Sequence, residues 1–184
     1  MKIDSLIFDL DGTLWDSSEG IVATWALVLE NYPEIHKKVT AEELASNFGL
    51  PLEQIARNMF PDQPESLRQQ LMAECGEKEN LYLAEHGGLL YPKLEETLRN
   101  LSEKYPLFIV SNCQDGYIQS FYSGNHTEKY FKDCECIGVT GKSKGENIRL
   151  VMERNGLKAP VYVGDTQGDA DAAAQAGIPF IYAA

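Results

Sequence analysis

The chain has 184 residues, 43% hydrophobic and 24% charged, which suits one medium domain, or a core of about 110 residues with one small insertion. Its net charge of -12, with no Lys/Arg cluster longer than a pair, excludes nucleic acid as an expected partner, because a phosphate backbone would meet repulsion almost everywhere. No apolar run approaches the roughly 18 residues that cross a bilayer, so no membrane-spanning role is expected.

In chain order, Leu6 to Phe8 is a short apolar run that reads as a buried strand. It leads into Asp9-Leu10-Asp11-Gly12-Thr13-Leu14, where two carboxylates at i and i+2 leave an abrupt turn that Gly12 permits. One can act as nucleophile and metal ligand while the other moves a proton; an ordinary Asp-rich turn is the competing reading. From about Ser17 to Gly87 the pattern is helical, over Glu19 to Glu30, Thr40 to Phe48, Leu52 to Met59 and Ser66 to His86. Helix starts are marked by Ser17 or Ser18, by Thr40 with Glu43 three residues on, and by Pro51. Gly87-Gly88 and Tyr91-Pro92 mark the return.

Leu94, Leu98, Leu101 and Tyr105 predict the next helix, and Leu107 to Val110 the next strand. That strand ends in Ser111-Asn112, a hydroxyl and an amide that can bind phosphate oxygens or merely cap a turn. Gly141-Lys142-Ser143-Lys144-Gly145-Glu146 precedes a helix carrying Ile148, Val151 and Met152. Lys144 at the positive end of that helix could hold an anion; Lys142 competes with it, and plain solvation competes with both. Val161 to Val163 runs into Gly164-Asp165-Thr166-Gln167-Gly168-Asp169 and an Ala-rich helix over Ala170 to Ala176, and Pro179 to Tyr182 is the last apolar run. With Asp9, the carboxylates of Asp165 and Asp169 would make an oxygen-rich magnesium site; capping the following helix is the alternative. Asp171 reads as solvated.

Strand and helix alternation predicts an α/β fold with a doubly wound parallel sheet, whose ligands sit outside the carboxyl ends of the strands. The helical stretch predicts a division into a core of residues 1–16 and 88–184 and a small α-helical cap over 17–87. Cys75, Cys113, Cys134 and Cys136 follow no zinc spacing, and His36, His86 and His126 form no ligand pair. With no secretory leader in view, reduced thiols in the cytoplasm are expected. Nothing in the sequence specifies an oligomeric state.

The motifs Phe8-Asp9-Leu10-Asp11-Gly12-Thr13-Leu14, Ser111-Asn112, Lys144 and Gly164-Asp165-Thr166-Gln167-Gly168-Asp169, in that order, resemble those of the haloacid dehalogenase-like hydrolase superfamily, in its phosphoglycolate phosphatase-like branch with a helical cap. The resemblance implies a magnesium-dependent phosphomonoester hydrolase acting on a small phosphorylated metabolite, phosphoglycolate-like or a sugar phosphate, through an aspartyl-phosphate. It implies Asp9 as nucleophile, Asp11 as general acid and base, and Ser111, Asn112 and Lys144 as phosphate-binding residues. Magnesium would be held by Asp9, Asp165 and the backbone carbonyl of Asp11, with Asp169 either a further ligand or a support behind them. A phosphosugar mutase and a noncatalytic phosphate-binding regulatory module are the alternatives. Asp11 argues against dehalogenation, and only Lys37 and Lys38 are near enough in the cap to suggest phosphonate chemistry. Phe48-Gly49-Leu50-Pro51 resembles the cap's substrate-facing loop. Three departures from the family stand out: Gly145 follows Lys144, Trp15 is bulky enough to narrow the entrance, and the chain stops at Ala184, which leaves either a short sheet edge or a truncated C-terminus as the expectation.

Overall fold

The computed structural model describes residues 3–183. Five strands build a parallel sheet: β1 (Ser5–Phe8), β4 (Leu107–Ser111), β5 (Phe131–Cys136), β6 (Pro160–Gly164) and β7 (Phe180–Tyr182), in the order β5-β4-β1-β6-β7. β1 lies at the centre, in register with β4 (Ile7 beside Phe108) and with β6 (Ile7 beside Tyr162). Alternation along the strands feeds two cores, since successive side chains point to opposite faces. Ile7, Phe108, Val110 and Tyr162 join Ile148 and Val151 of α8 (Lys144–Asn155) and Ala172 and Ala173 of α9 (Gln167–Ala176). Leu6, Phe8, Ile109 and Val161 face the larger core on the other side. Each such side chain contributes about 1.5–3 kcal/mol on full burial.

Between β1 and β4 the chain forms β2 (Trp15–Asp16), α1 (Ser18–Leu29), α2 (Ala41–Ala45), α3 (Leu52–Met59), α4 (Glu65–His86), β3 (Leu89–Leu90) and α5 (Leu94–Ser102). β2 and β3 pair antiparallel, so the outgoing and returning chain are hydrogen-bonded to each other. α4 packs against α1 and also against α6 (Tyr117–Asn125). The α4–α6 approach is close: a Cβ on Gly124 would lie 2.0 Å from the Leu83 carbonyl oxygen. Among the described residues no helix is long and apolar enough to cross a membrane.

Several elements differ from the sequence reading. β5 escapes it because FKDCEC has little apolar character; it is an edge strand, and only its last two residues are buried. α6, the short α7 (Ile137–Thr140) and the 3-10 turn at Glu128–Tyr130 were also outside the predicted pattern. The helix begun at Leu94 ends at Ser102, leaving Tyr105 beyond it, and α9 begins at Gln167 rather than Ala170. Thr40 does cap its helix, its side chain accepting from the Glu43 N–H.

Candidate active site

The site forms where β1, β4 and β6 end. Asp9 follows β1 directly, is 1% exposed, and donates its backbone N–H to the Val163 carbonyl at 2.8 Å. The chain then turns on the Leu10 carbonyl, which accepts from Leu14 N at 2.8 Å, with Gly12 at φ +81. Any side chain at position 12 would collide with Asp165, whose Oδ2 lies 2.3 Å from the place a Cβ would take. Glycine is therefore required twice over, by conformation and by the close approach of that carboxylate. Thr13 Oγ1 donates to Asp165 Oδ1 at 2.9 Å, holding the two loops together.

Lys144, the first residue of α8, sends its ammonium inward: Nζ donates to Asp9 Oδ1 at 2.9 Å and to Asp169 Oδ1 at 2.6 Å. Lys142 is exposed, so of the two candidate lysines only Lys144 reaches this cluster. Ser143 starts α8 with a capping box closed by Glu146, which fixes where that first residue points. Asp169 serves two partners at once. Its Oδ2 accepts from Thr166 N at 3.0 Å and Thr166 Oγ1 at 2.7 Å, completing the capping box of α9, while Oδ1 meets the lysine. Asp171, exposed, accepts from Gln167 one turn away.

Asp9, Asp165 and Asp169 each offer a carboxylate oxygen within 4.8 Å of the others. Three carboxylates against one ammonium leave an excess of two negative charges when all are ionised, and an all-oxygen donor set suits a hard divalent cation such as magnesium. Burial pushes the Asp9 carboxyl up to about 7, and the neighbouring Asp169 and Asp11 add to the push while Lys144 opposes it. Burial likewise raises half-buried Asp165. The lysine moves the opposite way from what burial alone would do: Asp9 and Asp169 hold it charged above its ordinary range.

Asp11 stands apart from this cluster. Its Oδ1 accepts three hydrogen bonds, from Trp15 Nε1 at 2.9 Å, Ser17 Oγ at 2.8 Å and Tyr117 Oη at 2.9 Å. Among the described residues its Oδ2 accepts no hydrogen bond, so one carboxylate oxygen is anchored and the other is not. Burial raises the Asp11 carboxyl, against those three donors. Trp15 does not narrow an entrance: it is fully buried, packed edge-on against Tyr117 and Phe121, because only from inside can its indole reach Asp11.

A cavity of about 50 Å³ lies above Asp9 and Asp11, with Ser111 and Asn112 also on its wall. Phe48, Gly49 and Leu50 close it from the helical side, and Asn112 Nδ2 donates to the Gly49 carbonyl at 2.9 Å. Glu79 of α4 also lines it, 5% exposed, accepting from Trp25 Nε1 and from Gln114 Nε2 at 2.8 Å. Burial pushes the Glu79 carboxyl up to about 7.

Sequence reasoning missed Thr13, Ser17, Thr166, Tyr117 and Glu79 as parts of this site. Glu79 alone left a signal. Leu71, Cys75, Glu79 and Leu83 recur every fourth residue and are all buried, so a carboxylate interrupts the apolar stripe of α4.

A central parallel sheet with acidic loops at the carboxyl ends of its strands defines the Rossmann-like α/β class. Residues 6–183 match the family model described as haloacid dehalogenase-like hydrolase, and the chain belongs to that family. It is 28% identical over 184 residues to the phosphoglycolate phosphatase of Pectobacterium atrosepticum, covering 95% of this chain and 77% of that protein. It is 26% identical over 207 residues to the phosphoglycolate phosphatase of Escherichia coli K12, covering 97% and 80%. Among solved structures, a haloacid dehalogenase-like family hydrolase of Streptococcus pneumoniae superposes with a TM-score of 0.83 at 21% identity, over 98% of this chain and 84% of that one. A subfamily IA hydrolase of Geobacter sulfurreducens gives 0.72 at 18% identity, over 98% and 86%, so the architecture is shared where little sequence is.

Proposed function

We propose that the chain is a phosphomonoester hydrolase that transfers phosphate to Asp9 and then to water, with a small phosphorylated metabolite as substrate. One observation carries the reading most directly: a buried carboxylate at the end of the central strand, ion-paired to a buried lysine and within 4.8 Å of two further carboxylates. The phosphoglycolate phosphatases it resembles support the same class of reaction.

Asp9 attacks phosphorus, forming an acyl phosphate as the ester P–O bond breaks. Asp11 gives its proton to the departing oxygen, then takes one from the water that attacks the same phosphorus, releasing phosphate and restoring Asp9. The triple hydrogen bond on Asp11 Oδ1 fixes the carboxyl, and Oδ2 carries the proton. Lys144 and the Ser111 hydroxyl neutralise and orient the phosphoryl oxygens, with Asn112 beside them. Asp9, Asp165, Asp169 and the Asp11 carbonyl would hold magnesium, which when bound supplies positive charge against the crowded anionic oxygens. Residues 17–87 act as a cap that excludes water, a role supported by Phe48 and Leu50 on the cavity wall and by the Asn112–Gly49 hydrogen bond. Four free cysteines suit a reducing, cytoplasmic setting, and the net charge of -12 speaks against nucleic acid.

Hydrolysis of para-nitrophenyl phosphate, with and without magnesium, tests this on the chain and on Asp9→Asn. The expected result is metal-dependent turnover that falls at least a thousandfold in the variant. Metal-independent turnover, or an active Asp9→Asn, overturns the mechanism.

A further inference from the structure

The cavity has two chemically distinct ends. Its floor, at Asp9 and Ser111, belongs to the phosphoryl group. Away from the floor the lining is largely apolar, with Trp25, Phe48 and Leu50, but Asn47 and Gln114 also reach it, and two buried acceptors on the cavity keep unused capacity. The first is Glu79, whose two oxygens accept one bond each, from Trp25 and Gln114. A carboxylate has about four acceptor positions, so capacity remains. The second is Asn112 Oδ1, buried and without a partner among the described residues. Its orientation is fixed, because the Gly49 carbonyl can only accept and so must face Nδ2.

Among the described residues no Lys, Arg or His lines this cavity. A leaving group that ends in a carboxylate would bring a negative charge against Glu79, while the nearby ammonium of Lys144 is held at the phosphoryl end by Asp9 and Asp169. A leaving group that ends in a donor meets the reverse situation, with acceptor positions open on Glu79 and Asn112. An ammonium would also gain from the aromatic faces of Trp25 and Phe48. Phe48, Gly49 and Leu50 close the cavity on its helical side, which favours a short leaving group.

Resting on the phosphatase reading above, we propose that the substrate is the phosphate ester of a short alcohol bearing a hydrogen-bond donor, ammonium or hydroxyl, and no carboxylate, with Glu79 as the specificity-determining residue that receives it. The chain thereby differs in substrate class from the phosphoglycolate phosphatases it resembles.

Three esters of nearly equal size separate the possibilities: phosphoethanolamine, 2-hydroxyethyl phosphate and phosphoglycolate, each assayed for kcat/KM on the full chain with magnesium and with para-nitrophenyl phosphate as reference. At least one donor-bearing ester should exceed phosphoglycolate tenfold, and whichever leads tells ammonium from hydroxyl recognition. In Glu79→Gln the preference for that ester over phosphoglycolate should fall at least tenfold, through KM, with phosphoglycolate turnover rising. A gain of that kind cannot come from a misfolded variant. Phosphoglycolate as the best substrate of the unaltered chain overturns the proposal. So does a variant that scales all three esters by one factor, or turnover of the reference ester with none of the three processed. Failure to hydrolyse even the reference ester removes the phosphatase reading itself, and the proposal with it.

Discussion

At the level of single residues, the site is held by contacts that leave no slack. Gly12 combines φ +81 with a carboxylate oxygen 2.3 Å from its missing Cβ. Gly12→Ala should cost about 1–3 kcal/mol in backbone strain. Asp165 should also be displaced, so calorimetry should show weakened magnesium binding even where the variant remains folded. Asp9, Asp11, Ser111, Asp165 and Asp169 stood out as candidates in the sequence because they follow strands in recognisable strings, whereas Lys144, at a helix start, could not be told from Lys142 until the fold brought it to Asp9. Trp15 was visible and misread: its bulk suggested an obstruction, whereas its indole N–H makes it a buried donor to Asp11. Ser17 looked like a helix start, yet its hydroxyl faces Asp11 and Ser18 N is instead met by Asp16 Oδ1 at 2.9 Å. Tyr117 approaches from 106 positions away, and no local pattern announces a partner at that separation.

Among elements, the decisive contact is between α4 and α6. Gly124 would place a Cβ 2.0 Å from the Leu83 carbonyl oxygen and 2.6 Å from the Gly87 Cα. Backbone lies on the other side, with no flexible side chain to yield. Gly124→Ala should therefore destabilise by about 3 kcal/mol, the upper end of overpacking. In a chain of this size that lowers Tm by roughly 6–12 °C, measurable by calorimetric scanning. α4 itself was legible to within one residue, since its start was read at Ser66 and observed at Glu65. β5 was not, because an edge strand exposes one side and half its length, and a sequence such as FKDCEC has no need of an apolar pattern.

At the scale of the whole molecule, stability should depend on pH through Glu79. Its carboxyl sits at about 7 against an ordinary value of 4.5, raised by burial and by Asp11 nearby, against the donors on Trp25 and Gln114. Between those values the folded chain keeps a proton that the unfolded chain releases, so stability falls as pH rises from about 4.5 to 7. The loss is at most roughly 3 kcal/mol. Urea unfolding at pH 5 and pH 8 should show this fall in the unaltered chain and a smaller one in Glu79→Gln. Asp9 titrates in both proteins, so the difference isolates Glu79. The global architecture was the most legible level of all, since alternating strand and helix patterns admit few layered solutions.

The paired segments β2 and β3 carry the polypeptide out of the sheet layer and back, and Trp15 and Ser17 sit at that crossing with Asp11 on their donors. Anyone grafting a foreign helical module onto this scaffold would thus do well to splice after Ser17 and before Gly87. A transplant beginning directly after Leu14 would carry away two of the three groups that hold the Asp11 carboxylate, leaving a well-formed chimera with that side chain unanchored.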